Sequence, residues 1–249
     1  MRVVFPGTNG WYDTCTGNTV CTLIESKDKF IVLDAGNGIY KLNRYIPENS
    51  DKQVYLFLSH FHLDHIEGLH TLNKLRFRHG LKIFGQKGTV DILGVLLKEP
   101  FTVPLARMPY KIEIFDLPES ASKVPFLEDF RFLRHASDCL GYRFNIDGMI
   151  VTYCTDTGIC ENLLALAKNA DLLITECSFR FGQSSNEWPH LNPEDAVRVA
   201  KEANSKRLAL THFDANRYPS LDNRKEVYDK MMLKYEGLIV AYDDMSVDI

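Results

Sequence analysis

Residues 58–65, LSHFHLDH, place three histidines and an aspartate within six consecutive positions, directly after the apolar run Val54–Leu58. The whole chain of 249 residues has only eight histidines. Extended residues alternate faces, so His60 and His62 leave the strand on the same side. A turn at Leu63–Asp64 then brings Asp64 and His65 round before a helix that starts near Ile66. Imidazole suits zinc, and carboxylate adds charge and a harder oxygen ligand. Four such groups exceed what one tetrahedral ion takes from one loop, so the surplus points to two ions side by side. The fold must therefore carry further ligands, distant in sequence, to this one loop.

Three other segments offer them. FLRHASDCLGYRF has His135 at the end of a strand-length run, VTYCTDTG has Asp156 in a turn closed by Gly158, and LALTHFD has His212 at the end of another run. Apolar runs of strand length recur at Arg2–Phe5, Thr19–Ile24, Phe30–Leu33, Val54–Leu58, Leu81–Phe84 and Lys111–Phe115. A second series occupies Phe130–Leu133, Gly141–Ile146, Met149–Tyr153, Leu172–Thr175, Arg207–Thr211 and Leu238–Ala241. Asp147-Gly148 joins two of these as a two-residue hairpin turn. Helical periodicity fits Ile66–Phe77, Thr89–Leu97, Glu161–Lys168, Pro193–Ala203 and Arg224–Tyr235. The fourth opens with Asn192 as cap, Pro193 at the first position and Glu194 and Asp195 in the first turn. Strands first, then strands with interspersed helices, suit two sheets packed face to face with helices outside.

Composition excludes several classes. With 45% apolar and 25% charged residues the chain is ordinary globular material. No linker or repeat divides residues 1–249, which reads as a single domain. A net charge of −4 gives no basic field for long nucleic acid, and the cluster Lys74, Arg76, Arg78 and His79 reads as a solvated face. No run approaches a membrane span, and the N-terminal apolar run is too short for a signal peptide. Cys15, Cys21, Cys139, Cys154, Cys160 and Cys177 form no C-x-x-C pair and read as buried free thiols of a cytoplasmic protein.

H-x-H-x-D-H followed in order by His135, Asp156 and His212 resembles the metallo-β-lactamase fold superfamily along the whole chain. The resemblance implies an α+β, four-layer αββα sandwich with two divalent metal ions, Zn²⁺ first among them and Mn²⁺ or Fe²⁺ as alternatives. It implies that His60, His62 and His135 hold one ion, that Asp64, His65 and His212 hold the other, and that Asp156 bridges them. Asp34 in IVLDAGNG matches an aspartate that steadies the ligand loop from behind; a helix-capping role is the alternative. LLITECSF and HLNPEDAVRVAKEANSKRLALTHFDANRY are similar to the ribonuclease Z-like branch and its small cyclic-phosphodiesterase relatives, in which Glu176 would pair with His190. Gly141, Tyr142 and Arg143 also match that branch. Asp214 departs from it, since the ribonuclease usually has serine there. The tRNA-processing enzyme carries an arm between its third histidine and its bridging aspartate, whereas only residues 136–155 lie between His135 and Asp156 here.

The expected activity is therefore hydrolysis of small phosphodiesters, such as cyclic nucleotides or cyclic phosphates, by a metal-bridging hydroxide. Asp64 handles the proton of the nucleophile, and His190, kept charged and oriented by Glu176, serves the leaving group. A ribonuclease Z-type RNA 3′-end endonuclease, a lactone or thioester hydrolase of the same fold, and a non-catalytic metal-bound sensor are the other readings. The branch implies a homodimer. Trp11 or Tyr12, in the Gly-rich loop PGTNGWYDTCTGNT, either stacks a base or packs a hairpin tip, and Phe61 is expected to pack rather than to contact substrate.

Overall fold

The computed structural model describes residues 1–249. One sheet has seven strands: β1 (Arg2–Gly7), β2 (Cys21–Glu25), β3 (Lys29–Leu33), β4 (Gln53–Phe57), β5 (Leu81–Gly85), β6 (Ile112–Asp116) and, from the far end of the chain, the edge strand Met245–Asp248 beside β1. The second sheet has six: β7 (Leu127–Phe132), β8 (Leu140–Ile146), β9 (Met149–Cys154), β10 (Leu172–Glu176), β11 (Leu208–Thr211) and β12 (Leu238–Val240). Strands β3 to β6 run parallel, as do β9 to β12.

Period-2 alternation divides each strand between two apolar layers, which is why the runs read as unbroken hydrophobic stretches. Val3, Phe5, Ile24, Ile31, Leu33 and Phe57 face inward against Tyr142, Phe144, Val151, Tyr153, Leu172 and Ile174 of the other sheet. Their neighbours Val4, Leu23, Phe30, Val32 and Leu56 face outward, onto Ile39, Leu42, Leu69, Leu72 and Leu93. On the opposite side, Leu173, Leu208 and Leu210 pack on Leu163, Leu166, Val199 and Val227 from helices α3 (Glu161–Ala167), α4 (Pro193–Glu202) and α5 (Leu221–Met231). The layers are αββα, as expected, with the remaining helices α1 (Leu63–Ile66) and α2 (Thr89–Leu96) on the first sheet's side.

Local signals held where they were chemical. Asp147 and Gly148 both adopt positive φ (55° and 84°), the twist a two-residue hairpin requires. Asn192 accepts from Asp195 N at 2.8 Å, capping α4. The segment Ile66–Phe77 departs from the expected regular helix. The helix begins at Leu63, not near Ile66, with Asp64 in its first turn. At Ile66 the backbone swings out (φ −133°) and the chain continues as a 3₁₀ helix, Glu67–Lys74. A second 3₁₀ helix, Asn37–Arg44, and the edge strand Met245–Asp248 were not foreseen. The fifth helix starts at Leu221, three residues before the apolar periodicity does, because Ser220 and Asn223 form a reciprocal capping box. Cys15 is exposed and Cys160 half-buried, so only four of the six free thiols fit the expectation of burial.

Candidate metal centre

Parallel strands end at the same edge of a sheet, and the candidate residues lie just beyond those ends. Asp34 follows β3, the 58–65 loop follows β4, His135 follows β7, Asp156 follows β9, Glu176 closes β10 and His212 follows β11. Asp34, Asp156 and His212 all take positive φ (59°, 50° and 51°). Aspartate and histidine are among the few side chains that adopt that conformation with any frequency. Gly10 makes room for the His212 ring, because a Cβ there would sit 2.5 Å from His212 Cε1.

The ligand atoms of His60, His62 and His135 lie within 4.8 Å of one another, as do those of Asp64, His65 and His212. Asp156 adjoins both groups. Its Oδ2 is 3.2 Å from His65 Nε2 and 3.4 Å from His212 Nε2, and it also clusters with His60 and with His135 and His190. All seven sequence-derived candidates therefore converge on one point in space.

Hydrogen bonding behind the rings sets which nitrogens face inward. Asp34 Oδ2 takes the Nδ1 proton of His65 at 2.8 Å. Ser178 Oγ donates to the His212 carbonyl at 3.0 Å, so its oxygen accepts from His212 Nδ1, also at 3.0 Å. Ser59 Oγ donates to Asp34 at 2.8 Å and accepts from His60 Nδ1 at 3.0 Å. Each ring thus presents its Nε2 lone pair to the cluster. His65 Nε2 and His212 Nε2 then face each other at 3.1 Å with two carboxylates alongside, and His60 Nε2 is buried with no partner at all. A proton can bridge the His65 and His212 nitrogens, but the orphaned Nε2 lone pair of His60, beside the other histidines and Asp156, fits a divalent metal. Asp34 also accepts from Ser59 N (2.7 Å) and Tyr153 OH (2.7 Å), which makes it an orienting residue rather than a helix cap.

Without metal the electrostatics are polarised. Burial, with His65 beside it, pushes the His60 imidazole well below its usual pKa. For His65, burial is outweighed by the carboxylates of Asp156, Asp34 and Asp64, and the imidazole is raised. Asp156 is driven well down, since His212 and His65 outweigh its own burial.

His190 Nδ1 meets Glu176 Oε1 at 2.7 Å. Glu176 is fully buried and also accepts from Thr157 N and Ser178 N. Burial lowers the His190 pKa, but Glu176 more than compensates, and it stands raised to about 9. The imidazole borders a cavity of about 300 Å³ lined by Trp11, His62, Leu63, Asp64, Asp156, Trp188 and His212. Phe61 packs on the outer core, as expected. Tyr12 is exposed and does not line this cavity. Ser59, Tyr153, Ser178 and Trp188 went unrecognised in the sequence, although Ser59 adjoins His60, Tyr153 and Ser178 lie within VTYCTDTG and LLITECSF, and Trp188 stands two residues before His190.

An αββα sandwich whose sheet edge gathers histidines and carboxylates able to hold metal defines a metallo-hydrolase. A family model described as "Beta-lactamase superfamily domain" matches residues 29–213, and the chain belongs to that superfamily. A probable metallo-hydrolase, YhfI of Bacillus subtilis, is 29% identical over 222 residues, covering 86% of this chain and 87% of its own. The crystal structure of YhfI superposes with a TM-score of 0.75 at 24% identity over 99% and 98% of the two chains. Ribonuclease Z of Porphyromonas gingivalis is 23% identical over 288 aligned positions, covering 91% of this chain and 92% of the ribonuclease. An alignment longer than this chain contains stretches present only in the ribonuclease. The short form of human tRNase Z superposes with a TM-score of 0.72 at 21% identity over 100% and 99%. No helix is long and apolar enough to cross a membrane.

Proposed function

We propose that the protein is a dinuclear metal-dependent phosphodiesterase acting on small phosphodiesters. His60, His62 and His135 would hold one cation, Asp64, His65 and His212 the other, with Asp156 between them. The observation that carries this reading is the pairing of that seven-residue cluster with an imidazole, His190, held protonated by Glu176 at the rim of the same cavity. Bound divalent cations supply Lewis acidity toward phosphoryl oxygens and bring the pKa of water near neutrality.

The chain's own groups do the rest. Asp64 Oδ2 stands 3.3 Å from His212 Nε2 and also takes the backbone N–H of Trp11 at 2.7 Å, so it is oriented to accept a proton at the cluster's open side. His190 offers a proton from Nε2, since Nδ1 is committed to Glu176, and is positioned to serve an alkoxide leaving group. A thioester expels a thiolate that needs no proton donor, so a carboxylate-charged imidazole beside the cluster favours phosphodiesters over thioesters; a lactone also expels an alkoxide, and turnover distinguishes it.

The relatedness to ribonuclease Z favours RNA as a second reading. Two observations weigh against it. Residues 136–155 are occupied by the β8–β9 hairpin, and the net charge is −4. The test is turnover by Zn²⁺- and Mn²⁺-loaded protein of bis(p-nitrophenyl) phosphate, cyclic nucleotides, a tRNA precursor, and lactone and thioester substrates. Hydrolysis of the small diesters is expected, and activity confined to acyl compounds or to the tRNA precursor overturns the proposal.

A further inference from the structure

The chain has two tryptophans in 249 residues, and both stand at the mouth of this cavity. Neither is core material: Trp11 is 54% exposed and Trp188 37%. They come from loops nearly 180 residues apart in sequence, yet their rings stack, with centroids 5.9 Å apart and planes inclined by 20°. Trp188 also lies parallel to the His62 imidazole, at 5.8 Å and 8°. Three near-parallel rings thus line the cavity between the His/Asp cluster and solvent. The backbone gives up conformational preference to build this arrangement. Trp11 adopts φ +74°, unusual for a bulky residue, and its N–H is anchored on Asp64 at 2.7 Å. Exposing so large an apolar surface at the one place where substrate enters calls for a ligand that covers it.

From this we infer that the Trp11–Trp188 pair is a base-stacking subsite, and that the substrate class is a phosphodiester with a nucleoside as one of its substituents. This deepens, and rests on, the phosphodiesterase reading. The diester group lies against the His/Asp cluster while the base stacks on the indoles, of which Trp188 lies 5.8, 5.7 and 6.3 Å, centroid to centroid, from His62, His135 and His190, within a nucleoside's reach of the reacting centre. Every nucleobase offers a π face, so stacking selects for the presence of a base without choosing which. Base-free diesters such as glycerol cyclic phosphate forgo this contact.

Because the chain has no other tryptophan, its tryptophan emission, excited selectively over tyrosine, reports this mouth alone. Zn²⁺-loaded protein is titrated with adenosine monophosphate and, as the base-free control, with ribose 5-phosphate. The nucleotide should quench tryptophan emission and the sugar phosphate should not. Trp188→Ala, read through Trp11, and Trp11→Ala, read through Trp188, should each weaken nucleotide binding about tenfold, while Trp188→Phe retains most of it. In turnover, the kcat/KM ratio of adenosine 2′,3′-cyclic phosphate to glycerol cyclic phosphate should fall about tenfold in Trp188→Ala. Equal quenching by both ligands, or an unchanged ratio in the variants, overturns the inference while leaving the phosphodiesterase reading in place. Base-dependent quenching without hydrolysis of any diester supports the subsite and sinks the phosphodiesterase reading instead.

Discussion

Replacing Asp34 by asparagine removes one charge from a fully buried position and leaves every apolar contact in place. The carboxylate accepts four donors: Ser59 N at 2.7 Å, Ser59 Oγ at 2.8 Å, Tyr153 OH at 2.7 Å and His65 Nδ1 at 2.8 Å. Three of them converge on Oδ2. The asparagine carbonyl keeps those three in its better orientation, each weakened by about 1 kcal/mol on losing its charge-assisted character. The amide NH₂ then confronts Ser59 N–H, leaving a buried donor unpaired at about 1–3 kcal/mol. Relief of the carboxylate's own desolvation offsets part of this, so the net destabilisation is about 2–4 kcal/mol. At about 2–4 °C per kcal/mol for a chain of this size, the metal-free protein should melt about 4–16 °C lower. His65 keeps only a weakened, uncharged partner for its Nδ1, its Nε2 is aimed less firmly, and metal affinity should drop about 10–100-fold. Thermal melts of metal-free protein and chelator competition measure the two effects separately. Tyr153→Phe, which removes one donor and no charge, should cost about 1 kcal/mol and leave metal binding near wild type. If Asp34→Asn melts with the wild type and holds metal equally well, the account of how the His65 and His60 rings are aimed is wrong.

Other outcomes follow from the same geometry. His190→Ala should lower kcat by about 10²–10⁴-fold with metal content unchanged, measured by turnover and elemental analysis; lost metal or untouched turnover refutes its role. His190 is held at a raised pKa of about 9, so it is protonated below that pH, and activity should fall as pH rises through it. Glu176→Gln removes the main cause of the rise, so the alkaline limb of the kcat profile should move toward lower pH. The His190–Glu176 contribution to stability has the same sign: present below the unfolded imidazole pKa of about 6.5 and lost as pH passes about 9. Gly10→Ala puts a methyl 2.5 Å from His212 Cε1, and the displaced ring should lower metal content per chain below that of the wild type, by elemental analysis, without unfolding the protein.

Much of the site was legible because its ligands come as a motif or stand at strand ends. H-x-H-x-D-H is local, and His135, Asp156 and His212 each follow an apolar run that could be read as a strand. The hairpin at Asp147-Gly148 and the cap at Asn192 were legible for the same reason, since turn and cap chemistry is settled within four residues. The 3₁₀ helix Asn37–Arg44 was not, because the chain there follows the surface of the first sheet rather than a 3.6-residue period of its own. Met245–Asp248 alternates only weakly between half-buried and exposed positions and becomes a strand by pairing with β1, nearly the full length of the chain away. Tyr153 and Ser178 carry no mark in the sequence that distinguishes them from other buried side chains, yet they support the ring-orienting network.

The residue order alone determined which side chains can bind metal, and which strands, helices and turns present them, because those properties depend on side-chain chemistry and on neighbours a few positions away. The resemblance implied that Asp156 serves both triads, that Asp34 steadies the loop and that Glu176 pairs with His190; only the tertiary structure set the contacts, Asp156 against both triads, Asp34 on His65 Nδ1 and Glu176 on His190 Nδ1, and only it brought Trp11 to Trp188 over the cavity. Each of those is a relation between groups 14 to 177 residues apart. Its distance and dielectric are set by how two sheets pack, and a linear pattern has no term for either.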